Sequence, residues 1–98
     1  MLVLVLISYK VPLDVVTQHT DDHRAYLRTL HAQGKLLASG PFAPRTGGAL
    51  LLRVDREDEI AAIIANDPFS ARGIAAHETR VWTPTIGAEL LEREGAKS

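Results

Sequence analysis

The chain contains no cysteine, which excludes a disulfide framework, a thiolate metal site and a cysteine nucleophile. Charge of neither sign predominates. Eleven Lys and Arg stand against twelve Asp and Glu, a formal net charge of −1, so composition offers no general attraction for a polyanion or an acidic membrane. Aromatic residues make up only 5% of the chain and the arginines are scattered, which argues against a nucleic-acid-binding surface. The apolar run Leu2–Ile7 is far short of the ~20 residues of a membrane span. No basic segment precedes it, so it reads as a strand rather than an export signal, and a cytoplasmic protein is expected. No HExxH and no phosphate-binding loop occur. What is present is 98 residues, 46% of them apolar and 23% charged, the composition of one globular domain with a single core.

Leu2 to Tyr9 is a strand with two apolar faces: Leu2, Leu4 and Leu6 on one, Val3, Val5, Ile7 and Tyr9 on the other. Pro12 ends it, because proline cannot donate to a ladder. Thr20 or Asp21 is the expected N-cap of a first helix running to about Gln33 and stopped by Gly34. Tyr26, Leu27 and Leu30 form its apolar stripe, and His23 shares it. Lys35–Gly40 and Ala49–Val54 read as two strands joined by a Gly/Pro loop in which Gly47 and Gly48 serve the turn. Asp55 caps a second helix with a stripe of Ile60, Ile63 and Ile64, ended by Asn66-Asp67-Pro68. Phe69–Gly73 connects to a last strand, Ile74–Trp82. The domain is expected over residues 1–83, with 84–98 a polar tail.

The order β-α-β-β-α-β is the split βαβ arrangement of the α+β, ferredoxin-like fold, with an antiparallel sheet whose first and third strands are central and whose helices share one face. The other face is bare, yet its strands are apolar there too. A homodimer packed sheet to sheet through an isologous interface is the economical expectation, and a monomeric mass in sedimentation would count against it.

His19 and His23 are four apart, the spacing of two ligands on one helical face, but the expected helix begins after His19, so neither a metal nor a cofactor is called for. His23 is the informative histidine. Asp67 ends the second helix, where the macrodipole disfavours a carboxylate and a turn role is the plain alternative. With two helices side by side on one sheet face, the start of the first approaches the end of the second, so His23 and Asp67 can meet. Arg53 is expected either to pair with Glu78, to reach the dimer seam or to fray with its strand. His77 receives no role, since the faces of its strand do not separate.

The ordered set His23-Arg24-Ala25-Tyr26-Leu27, Gly34-Lys35-Leu36-Leu37-Ala38-Ser39-Gly40-Pro41, Gly47-Gly48-Ala49-Leu50 and Asp67-Pro68-Phe69 with Gly73 resembles the YCII-related (YciI-like) family over about residues 1–83. The resemblance implies a dimeric α+β barrel and an active-site His-Asp dyad, which maps onto His23 and Asp67. Members commonly carry an arginine three residues before the histidine; here that place is Thr20. One branch resembles a dehydrochlorinase acting on a chlorinated hydroxyquinol. The expected function is therefore acid–base chemistry, proton abstraction or elimination, on a small anionic or phenolic molecule. In such a dyad the carboxylate fixes the imidazole tautomer and the second ring nitrogen exchanges the proton. Ser39, the Gly40 backbone and Phe69 are the expected substrate-binding walls. Two other classes fit the same residues: a non-catalytic dimeric module that binds a small ligand or regulates a partner, and a cofactor-free monooxygenase of the same barrel shape. A histidine sealed in the core would favour the module, and measurable O₂ uptake the monooxygenase.

Overall fold

The computed structural model describes residues 1–91. Its elements are β1 (Leu2–Tyr9), α1 (Leu13–Ala32), β2 (Leu36–Pro41), β3 (Gly47–Arg53), α2 (Asp58–Ala65), α3 (Pro68–Ala71) and β4 (Ala75–Trp82). The strands form one sheet in the order β2-β3-β1-β4, with every neighbouring pair antiparallel. This is the expected α+β, ferredoxin-like split βαβ fold: β1 and β3 are the inner strands, and the 68–71 turn is an added short helix. No described helix is long and apolar enough to cross a membrane. The expected tail is described only in part: residues 88–91 begin a helical turn, and 92–98 lie outside the described residues.

The core forms on one sheet face. Val3, Val5 and Ile7 of β1 pair in register with Leu52, Leu50 and Gly48 of β3, so these side chains share a face. Val16, Leu27 and Leu30 of α1, Ile63 of α2 and Phe69 of α3 close over it. Removing one such side chain from water is worth about 1.5–3 kcal/mol. On the opposite face Leu2, Leu4 and Leu6 line up with Arg53, Leu51 and Ala49 of β3 and with Trp82, Arg80 and Glu78 of β4.

The first helix begins well before the expected N-cap. Pro12 has extended backbone angles (φ −59°, ψ 153°) and is itself the N-cap, so the proline that stops β1 also launches α1. The stripe that holds the added turns down is Val16, Thr20, His23, Leu27 and Leu30, all buried. Its two polar members hide the helical period from a hydrophobicity count. Thr20 is accommodated by donating its hydroxyl to the carbonyl of Val16 at 3.0 Å.

The glycine pair also differs from its expected turn role. Gly47 and Gly48 belong to β3, and they are required by close approach: a Cβ on Gly47 would lie 1.8 Å from the carbonyl oxygen of Ile7, and one on Gly48 2.5 Å from that of Gly40. In β2, the register shifts between Leu36 and Ala38. Leu36 opposes Leu52 on the helix side, whereas Ala38 opposes Leu51 on the open side. This bulge re-aims the strand, so Ser39, opposite Leu50, is turned toward α1.

Candidate active site

A cavity of about 410 Å³ lies between α1 and the β2–β3 edge of the sheet, a volume suited to a small molecule. Thr20, His23 and Leu27 form its helical wall, and Ser39 and Leu50 its sheet wall. The other residues expected as walls, Gly40 and Phe69, also line it, whereas Asp67 lies behind His23.

His23 and Asp67 lie forty-four residues apart in sequence, and their side chains meet, with Nδ1 2.8 Å from Oδ1. Both are buried, Asp67 to 1% exposure. Asp67 is not a misplaced residue at the end of α2. It is the N-cap of α3, accepting from the Phe69 N–H at 2.9 Å with Pro68 in the first turn, and it therefore sits where a helix favours a carboxylate. Burial alone would push its carboxyl up. Hydrogen bonds from His23, His77 and the Phe69 N–H, together with the charge of His23, outweigh that and hold it at about 2. Asp67 is accordingly a carboxylate at neutral pH, so Nδ1 of His23 carries a hydrogen and donates it. Nε2 makes no hydrogen bond to the protein among the described residues, and no buried side-chain polar atom there lacks a partner. It is therefore open to the cavity that His23 lines.

Phe69 fixes the imidazole plane. The two rings stack with centroids 3.9 Å apart and planes within 2°. Tyr9 meets Phe69 edge-on at 6.1 Å. Behind the dyad, Tyr26 donates its hydroxyl to the carbonyl of Ile63 at 2.7 Å and ties α1 to α2. Burial, and then the charge of Asp67, push that phenol above its ordinary value.

The sequence alone assigns His77 no role, and the register supplies its position. It opposes Ile7 and so faces the helices, its Nε2 3.4 Å from Oδ2 of Asp67. Asp67 thus lies between two imidazoles, one open to the cavity and one enclosed. Alternation counted from the partner strand would have found this; β4 alone, exposed along most of its length, does not show it. Sequence spacing also missed Arg45. From the β2–β3 loop it brings Nη2 to 3.5 Å from the Thr20 hydroxyl and Nε to 3.4 Å from that of Tyr9. Thr20 is the position where the family resemblance would place an arginine.

His19 does lie on α1, contrary to expectation, but it serves a surface group: Arg72 donates to its Nδ1 at 3.1 Å and to Asp22 at 2.9 Å. Among the described residues no cluster of three or more His, Cys, Asp or Glu has a metal-holding arrangement. Arg53 does not pair with Glu78. It donates to the carbonyl of Leu91, while Glu78 pairs with Arg80 at 2.7 Å.

A sequence profile described as the YCII-related domain matches residues 1–83. The uncharacterized protein YjpA of Bacillus subtilis (strain 168) is 34% identical over 65 residues, spanning 66% of this chain and 76% of that protein. Among solved structures, the 5-chloro-2-hydroxyhydroquinone dehydrochlorinase TftG of Burkholderia phenoliruptrix AC1100, in complex with 2,5-dihydroxybenzoquinone, superposes with a TM-score of 0.76. It shares 27% sequence identity, with 87% of this chain and 96% of that one covered.

Proposed function

The chain belongs to the YCII-related family, and from that premise we propose that it is a small-molecule enzyme that uses His23 as acid–base and Asp67 as its orienting partner. The observation that carries this reading is the 2.8 Å contact between His23 Nδ1 and Asp67 Oδ1 behind a cavity that His23 lines. The reaction is proton abstraction or elimination on a small anionic or phenolic substrate. Nε2 takes a proton from a carbon or hydroxyl of the substrate, and Asp67 stabilises the positive charge the ring acquires. In an elimination the electron pair of the broken C–H bond forms the new double bond, and the leaving group departs with the pair that bound it. The stack on Phe69 keeps Nε2 aimed while the charge changes. The likeness to a dehydrochlorinase supports the elimination arm of this reading.

The active unit is a homodimer joined through the open sheet face, a reading supported by the row Leu2, Leu4, Leu6 and Leu51, which the chain's own helices do not cover. The cytoplasm suits it, since a chain without cysteine draws no stability from an oxidising compartment.

The test incubates the protein with chlorinated hydroxyhydroquinones and with phenolic acids in D₂O, following chloride release and deuterium incorporation. The expected result is turnover by the wild type that His23→Ala abolishes without changing the assembled mass. Undiminished turnover in that variant removes His23 from the mechanism. Binding without any exchange or release assigns the cavity to a ligand-binding module instead.

A further inference from the structure

The arginines of the described residues divide into two groups. Arg56, Arg72 and Arg80 each pair with a carboxylate, and Arg53 donates to a backbone carbonyl. Arg24, Arg28 and Arg45 have no carboxylate within 4.0 Å among the described residues, and all three line the cavity, whose lining includes no Asp or Glu. The one carboxylate nearby, Asp67, is already engaged with His23, His77 and the Phe69 N–H.

Arg45 is the one of the three that is half-buried and held from the side. Among the described residues its side-chain partners are two neutral hydroxyls, on Tyr9 and Thr20, both at long range. A guanidinium has five donors, so most of its capacity is unspent. A partly desolvated cation with no counter-charge is costly, and an entering anion relieves that cost. The planar fork matches a carboxylate in two-point contact.

We propose that Arg45 binds the carboxylate of the substrate, and that the cavity therefore takes a planar hydroxy-carboxylate rather than a neutral phenol. Thr20, 3.5 Å from Nη2 of Arg45, lies one helical turn before His23, so Arg45 and His23 face neighbouring stretches of the same cavity wall. A ring acid anchored at Arg45 lays its far edge beside Nε2 of His23. Arg24 and Arg28, exposed at the cavity, add a positive potential that draws the acid in. This inference deepens the acid–base reading of the same cavity and names its substrate class.

The test measures binding of 2,5-dihydroxybenzoate and of hydroquinone, which differ only by the carboxylate, to the full chain by calorimetry. The wild type is expected to prefer the acid by about 10–100-fold, the worth of a charge-assisted hydrogen bond or two. Arg45→Gln lowers affinity for the acid at least about tenfold more than affinity for hydroquinone. Arg45→Lys restores part of the preference, and His23→Gln keeps it. Equal affinity for the two probes in the wild type, binding of neither at millimolar concentration, or a preference undiminished by Arg45→Gln overturns the proposal. The wild-type comparison decides even where a variant fails to fold. A retained acid preference without any turnover supports the anion site while removing the acid–base reading, so the two failures are distinguishable.

Discussion

The two faces of the sheet are built from similar residues and meet different fates. In β1, Val3, Val5 and Ile7 alternate with Leu2, Leu4 and Leu6, yet the first set is sealed under the helices at 0–4% exposure while Leu6 of the second is 38% exposed. The closed face also carries the polar chemistry: His23, Asp67 and His77 gather at its edge, each with a partner. The open face carries leucines, Trp82 and the exposed Arg80–Glu78 pair. A single chain accounts for the first face completely. The second leaves Leu6 exposed and Leu2, Leu4 and Leu51 only half-buried, and the homodimer proposed above would recover burial worth about 25 cal/mol per Å² there. The proposed chemistry and the proposed association therefore fall on opposite sides of one sheet, and substitutions can address them separately.

The largest expected effect tests that separation directly. His23→Ala is expected to lower turnover by about 10²–10⁴-fold, the ordinary contribution of a positioned acid–base, while the sedimentation mass stays that of the wild type. Leu4→Arg is expected to do the reverse, giving a monomeric mass with the cavity intact. If either variant changes both properties together, the faces are coupled and the comparison breaks.

The next effect is on stability. Leu52 is 0% exposed and touches the helix-side core, so Leu52→Ala is expected to cost about 2–5 kcal/mol in urea unfolding, whatever the protein concentration. Leu4→Ala, on the open face, is expected to cost about 1–2 kcal/mol, and its deficit grows as the protein is concentrated, because a dimer's apparent stability follows mass action. A deficit that does not vary with concentration would mean that the open face is left bare in solution.

The same contrast explains what could be read before any coordinates. The strand order followed from the element order β-α-β-β-α-β, and the two apolar faces of β1 and β3 agree with their inner places. The dyad residues could be named because an Asx-Pro step marks a turn and a histidine in an apolar stripe marks a helix face; what could not be foreseen is that Asp67 caps the next helix. The early start of α1 was hidden because Thr20 and His23 occupy buried places on an otherwise apolar stripe. The position of His77 was hidden because β4 is an edge strand with few apolar residues to mark a face. Arg45 was hidden for a different reason: a loop side chain reaches across the cavity to α1, and no spacing along the chain encodes that reach. The bulge that turns Ser39 toward the helix leaves no signal in composition at all.

The smallest effect sharpens the contrast between a charge inside the closed face and charges on the open one. Asp67 titrates at about 2 in the folded chain against an ordinary 3.8, because the hydrogen bonds from His23, His77 and the Phe69 N–H together with the charge of His23 outweigh the cost of burial. A carboxyl held below its unfolded value stabilises the fold fully above about pH 4 and loses that contribution as the pH falls toward 2, roughly 2 kcal/mol in all. Asp67→Asn has no such charge to lose. The gap in unfolding free energy between wild type and variant, measured in urea from pH 5 to pH 2, is therefore expected to narrow as acid is added. Glu78→Gln, which breaks only the exposed pair with Arg80, is expected to leave the acid limb of the wild type almost unchanged, because solvent already screens that pair. Parallel acid limbs for wild type and Asp67→Asn would show that the buried carboxylate is not held in its charged form, and the orienting role assigned to it would go with that charge.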